Sequence, residues 1–166
     1  MHARRTVLFA ALLAATATAC EGDPSGDVQA EKDRGADYLE IAAKENGAIS
    51  TPSGLVFRTL SPGNGDSPKA SDKVTVHYTG KLIDGTTFDS SVNRGPATFP
   101  LTGVIACWTE GLQKMHVGET ALLGCPSQIA YGDRGHPGTI PGGAVLMFDV
   151  ELIDIVSAPA TPRPIE

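Results

Sequence analysis

Residues 72–83, DKVTVHYTGKLI, constrain the fold more than any other stretch. In an extended chain Val74, Val76, Tyr78 and Leu82 share one face, and Thr75, His77, Thr79 and Lys81 the other. A strand with one apolar face requires a core on that face and further strands beside it. Asp84-Gly85 is a turn dipeptide and Phe88-Asp89 opens a returning arm, so residues 76–91 read as a β-hairpin. The hairpin raises a functional question as well, because it gathers a tyrosine, a phenylalanine and an acid.

The same alternation recurs in VLMFDVELIDI, where Phe148, Val150 and Leu152 oppose Asp149 and Glu151. GLVFRTL and ETALLGCPS read as shorter strands. VIACWTEGLQKM is the one helix within this region, with Val104, Ile105, Trp108, Leu112 and Met115 at steps of three and four. AYGDRGHPGTIPGGA carries too much glycine and proline for regular structure and reads as a long loop. The sum is an α+β domain over residues 53–156, an antiparallel sheet with one short helix packed across it. Upstream, residues 31–47 read as a short helical arm ending at Gly47, and residues 20–30 as a flexible tether. Eight acids against three bases in residues 21–46 make the arm a solvated spacer. Residues 157–166 are a proline-rich tail.

MHARR followed by TVLFAALLAATATA has the basic and apolar parts of a signal peptide over residues 1–19, too short to span a bilayer comfortably. Two cleavage readings compete. Ala17-Thr18-Ala19 suits ordinary signal peptidase. ATAC also resembles a bacterial lipobox, with Cys20 lipidated, although Ala17 stands where a large apolar residue is usual. Cysteine parity favours lipidation. There are three cysteines, Cys20, Cys107 and Cys125, and modifying Cys20 leaves an even pair that can form a disulfide. The competing reading is two buried free thiols. On either route the protein is exported, periplasmic or cell-surface, in a compartment that permits disulfides.

The formal charge is −6, with no basic cluster in the folded part. That excludes nucleic acid as a partner and limits membrane association to a lipid anchor. Little covalent chemistry is on offer. Cys107, His136 and Asp89 are the types needed for a nucleophilic triad, but the local sequences match no nucleophile elbow. His77, His116 and His136 have no short ligand spacing, so neither a metal nor a cofactor is expected. What remains is aromatic and apolar, and for most aromatics in a small domain a core position is the default. Three of these aromatics, however, sit beside loop glycines and polar residues, where a core is usually closed.

VHYTGKLIDGTTFDSS, FPLTGVIACWTEGLQKMHVGE and AYGDRGHPGTIPGGAVLMFDVELIDI, in that order, resemble the FKBP family of peptidyl-prolyl cis–trans isomerases, from about Ser53 to Ile155. The helix followed by PSGLVFRTL is similar to its exported bacterial branch, which includes macrophage-infectivity-potentiator-like proteins. The resemblance implies a curved antiparallel sheet wrapped around one short helix. It implies rotation about X–Pro bonds in exported polypeptides and inhibition by tacrolimus- or rapamycin-type macrolides. Trp108 resembles the floor of the proline pocket, and Phe88, Phe99, Val104, Ile105 and Phe148 its walls, together with Tyr78. The Ile105 N–H and the Tyr131 hydroxyl resemble the donors to substrate carbonyls. Asp89 resembles the polarising acid, paired with Tyr78 or Arg94, and His136 and Ile140 belong to the rim.

Adjacent Phe88 and Asp89 can face one pocket only across a bulge or a strand end. Ala97, Thr139 and Cys107 depart from common family residues, which bears on substrate preference. A monomer is expected, because the long dimerisation arm of some relatives has no counterpart. A different class of function stays open: a proline-binding chaperone or surface interaction protein with little turnover.

Overall fold

The computed structural model describes residues 24–156. The signal peptide, Cys20, the first part of the tether and the proline-rich tail lie outside the described residues. Seven strands form one antiparallel sheet: β1 (Ala48–Ser50), β2 (Val56–Ser61), β3 (Lys73–Leu82), β4 (Thr87–Ser90), β5 (Ala97–Pro100), β6 (Thr120–Cys125) and β7 (Leu146–Val156). Their order is β1-β2-β6-β7-β3-β4, with β5 also paired to β3. β4 and β5 therefore share one edge of β3, β4 beside Thr79–Lys81 and β5 beside Lys73–Val76.

The alternation seen in the sequence is the burial pattern of β3 and β7. Val74, Val76 and Tyr78 point with Phe148, Val150 and Leu152 into the core, which α2 (Ala106–Leu112) closes with Cys107, Trp108 and Leu112. Three register shifts leave an extra residue on one strand: Leu60 on β2, Phe88 on β4 and Ile153 on β7. Each bulge bends its strand and adds twist, so the sheet curls round α2 as the expected architecture requires.

Several local expectations are corrected. The helix begins at Ala106, not Val104. Val104 and Ile105 are extended, with ψ 170° and 149°, which suits two β-branched residues in series. The Asp84-Gly85 turn is part of a four-residue connection, Ile83–Thr86, in which the Leu82 N–H donates to the Thr86 carbonyl at 2.9 Å. A short 3-10 turn, Ser127–Ile129, precedes the long loop, which itself holds a second, Gly132–Arg134, and a bridge between His136 and Ile140. β1 was not foreseen.

The largest correction concerns the arm. α1 runs from Pro24 to Ala43, so most of the expected tether is helical, and Gly47 closes the turn into β1 rather than ending the helix. Proline suits the first helical position because its missing N–H has no partner to lose there. Nor is the arm a free spacer. Leu39 and Ala42 are buried against Val56, Val145 and Met147 on the convex face, a second small core behind the sheet.

Candidate active site

The pocket lies between the concave face of the sheet and the start of α2, with a volume of about 500 Å³. Its floor is Trp108, which is 5% exposed. Three rings stand edge-on to that indole: Tyr78 at 5.2 Å, Phe148 at 5.3 Å and Phe99 at 5.6 Å between centroids. Edge-to-face contacts place positive ring edges on negative faces and fix the ring orientations. Phe88 meets Phe148 in the same way at 5.6 Å and extends the wall. The indole N–H of Trp108 is buried with no hydrogen-bond partner among the described residues.

The polar side of the pocket follows from the bulge in the hairpin. Gly80 pairs with Asp89 and Lys81 with Thr87, which leaves Phe88 as the extra residue. Phe88 and Asp89 both line the pocket as a result. The bulge needs space on β3, and Gly80 supplies it: a Cβ there would lie 2.5 Å from Cζ of Phe88 and 2.9 Å from Cε1 of Phe148. The Tyr78 hydroxyl donates to Asp89 Oδ2 at 2.5 Å. Arg94 pairs with the other carboxylate oxygen and also donates to the Ser90 carbonyl at 2.8 Å. Burial, reinforced by the bond to Asp89, pushes the Tyr78 phenol up to about 12. Burial alone would raise Asp89, but the Tyr78 hydroxyl, the Arg94 guanidinium and the Ser90 N–H outweigh it and hold the carboxyl below its ordinary value. The site therefore keeps one ionised acid and one neutral phenol across the whole neutral range.

On the opposite wall, extended Val104 and Ile105 bring the chain to α2. No bond from the Ile105 N–H is found among the described residues, and Ile105 lines the pocket. Tyr131 completes the opening from the long loop and is 39% exposed.

A sequence profile described as FKBP-type peptidyl-prolyl cis-trans isomerase matches residues 65–153. The chain belongs to the FKBP family. It is 53% identical over 130 residues to the FKBP-type isomerase FkpA of Aeromonas hydrophila, covering 78% of this chain and 48% of that one. With the FKBP-type 22 kDa isomerase of Escherichia coli it shares 52% identity over 129 residues, 77% of this chain and 63% of the other. The crystal structure of FkpA from Escherichia coli superposes with a TM-score of 0.79 at 43% identity, covering 82% of this chain and 64% of that one. The chain thus spans between about half and two thirds of the length of these FKBP relatives.

Of the residues expected at an FKBP site, the fold gathers Tyr78, Phe88, Asp89, Phe99, Val104, Ile105, Trp108, Tyr131 and Phe148 around one pocket. Arg94, His136 and Ile140 do not line this pocket. Arg94 pairs with Asp89, as expected, and meets the pocket through that acid. Ile140 is buried, its backbone is bridged to His136, and it lines a neighbouring depression with Leu82 and Pro141. His136 stands edge-on to Tyr131 at 6.1 Å and backs that ring rather than lining the cavity. Gly103 lines the pocket and was not foreseen, since a glycine offers no side chain by which a sequence reading could single it out. Behind the floor, Cys107 and Cys125 are joined as a disulfide with Cα atoms 5.7 Å apart.

Proposed function

We propose that this chain catalyses cis–trans rotation about X–Pro bonds in exported polypeptides. The observation that carries the reading is the aromatic box on Trp108, open at one side and supplied with only a few polar groups. The uncatalysed barrier of ~18–20 kcal/mol arises from amide resonance. The twisted transition state has lost that resonance and much of the charge separation of the planar amide. A water-poor apolar pocket disfavours the polar planar form more than the twisted one, which lowers the barrier without a nucleophile, metal or proton donor.

In this reading the proline ring rests on Trp108 between Tyr78, Phe99 and Phe148. The free Ile105 N–H and the Tyr131 hydroxyl hold the flanking carbonyls. Asp89, kept ionised by Tyr78 and Arg94, sets the field across the rotating bond. Tacrolimus-type macrolides occupy the same pocket as competitive inhibitors. The protein acts as a monomer, exported and anchored through a lipid on Cys20, and the Cys107–Cys125 bridge forms in that oxidising compartment.

A protease-coupled or NMR-exchange assay on an X–Pro peptide tests the activity. The expected result is isomerisation well above the spontaneous rate and abolished by tacrolimus. Peptide binding without acceleration would instead identify a proline-binding chaperone.

A further inference from the structure

We infer that α1 is a strut for the pocket: it holds the loop that carries Tyr131, with Gly35 as a positioning residue. The inference rests on the isomerase reading of the pocket and concerns a segment outside it. The face that α1 turns to the domain is Val28, Lys32, Gly35, Leu39 and Ala42, at alternating steps of four and three. Glycine within a helix costs about 1 kcal/mol relative to alanine, so a glycine in this stripe needs a packing reason.

Val145 provides it. A Cβ on Gly35 would run into Val145 Cγ2 and lie 3.1 Å from Val145 Cβ, and Val145 is itself buried. Two turns earlier the helix lies flush on the stem of the loop, where a Cβ on Gly143 would lie 2.7 Å from the Val28 carbonyl oxygen. Lys32 pairs with Asp133 at 2.6 Å. The stem is tied to the Tyr131 turn: the Gly143 N–H donates to the Gly132 carbonyl at 2.9 Å, and the Gly135 N–H to the Tyr131 carbonyl at 3.1 Å. A continuous set of contacts thus runs from the helix to the pocket wall. Exposed ion pairs contribute little, so the close backbone approach at Gly35 and Gly143 carries the coupling.

The test is Gly35→Ala. In an undocked helix this change raises helicity and alters nothing else. In the docked helix it levers α1 off Val145. Amide exchange across residues 131–143 should then rise about tenfold while the Val150 amide in β7 stays protected, and kcat/KM on an X–Pro peptide should fall several-fold. Adding Val145→Ala makes room for the new methyl and should restore both, with Val145→Ala alone as the reference for the cycle. Unchanged exchange at 131–143 in Gly35→Ala, or a rise that Val145→Ala does not reverse, would overturn the strut. So would a loosened loop with full turnover. Wild-type protein without turnover would refute the isomerase reading, and exchange alone would then decide whether the helix holds the loop.

Discussion

The Tyr78 hydroxyl and the Asp89 carboxylate meet at 2.5 Å because a single bulged residue, Phe88, shifts the returning strand of the hairpin. Asp89→Ala removes the acceptor and the negative charge together. Turnover should drop about tenfold or more, equivalent to roughly 1.4 kcal/mol of transition-state stabilisation. The Tyr78 phenol, now without its partner, should ionise below the wild-type value of about 12, read from phenolate absorbance in an alkaline titration. Unchanged turnover with a shifted phenol would show that the pair serves the fold and not the reaction.

The pH profile should be flat for activity and sloped for stability at both ends. Asp89 is lowered in the folded state from 3.8, so its contribution is full above the unfolded value and is lost as pH falls through the folded one. Tyr78 is raised from 10.0 to about 12, so its contribution is full below the unfolded value and is lost as pH rises through that interval. Urea midpoints measured from acid to alkaline pH should decline at the two extremes. Turnover between pH 6 and 8, roughly the range where an ordinary histidine titrates, should not change, and a steep bell there would point to acid–base chemistry.

Trp108 supplies both floor and core. Trp108→Ala should cost ~3–5 kcal/mol of stability, in line with other large-to-small core changes. Trp108→Leu keeps more of the volume and isolates the loss of the flat ring. Tacrolimus affinity, measured calorimetrically in the folded Leu variant, should weaken by more than about tenfold. Full affinity would place the inhibitor elsewhere.

Cys107 and Cys125 close a loop of sequence separation 18. Reduction should lower the unfolding free energy by ~3 kcal/mol in the chain-entropy account. It should also loosen the segment bearing Ile105 and Trp108. Mass spectrometry of protein from its native compartment should find both cysteines protected from alkylation until reductant is added.

Cys20→Ser should convert a detergent-partitioning protein into a soluble one. A single acyl chain gives only marginal anchoring, so stable partitioning requires more than one. An unmodified Cys20 at the mature N-terminus would establish the ordinary signal-peptidase cut.

Strand β3, and β7 from Phe148 onward, were legible because each is buried on one face only, which writes a period of two into the sequence. The bulge at Phe88 was legible for a related reason, since two neighbouring residues cannot otherwise share a pocket. β1 was not. Ala48-Ile49-Ser50 has no pattern of its own and forms a strand only because β2 offers an edge. α1 was misread for a subtler cause. Its docking stripe contains a lysine and a glycine, while the larger apolar residues Tyr38 and Ile41 stand 40% and 67% exposed. Close backbone contact leaves small residues where a pattern search looks for large ones. Val104 and Ile105 fitted the helical spacing by coincidence, because an extended entry and a first helical turn can bury the same neighbours.

The bulges that bend the sheet also shape its two borders. One border of the sheet is β1, only three residues long, followed by the stretch of β2 distorted at Leu60. The other border is split between β4 and β5, four residues each, with the Phe88 irregularity inside β4. Among the described residues, neither border offers a long, straight row of unpaired amides on which a foreign strand could lengthen the sheet. In the function proposed above, the protein would work among unfinished chains that are rich in such strands. It would offer them a pocket for a single proline and little sheet edge to extend.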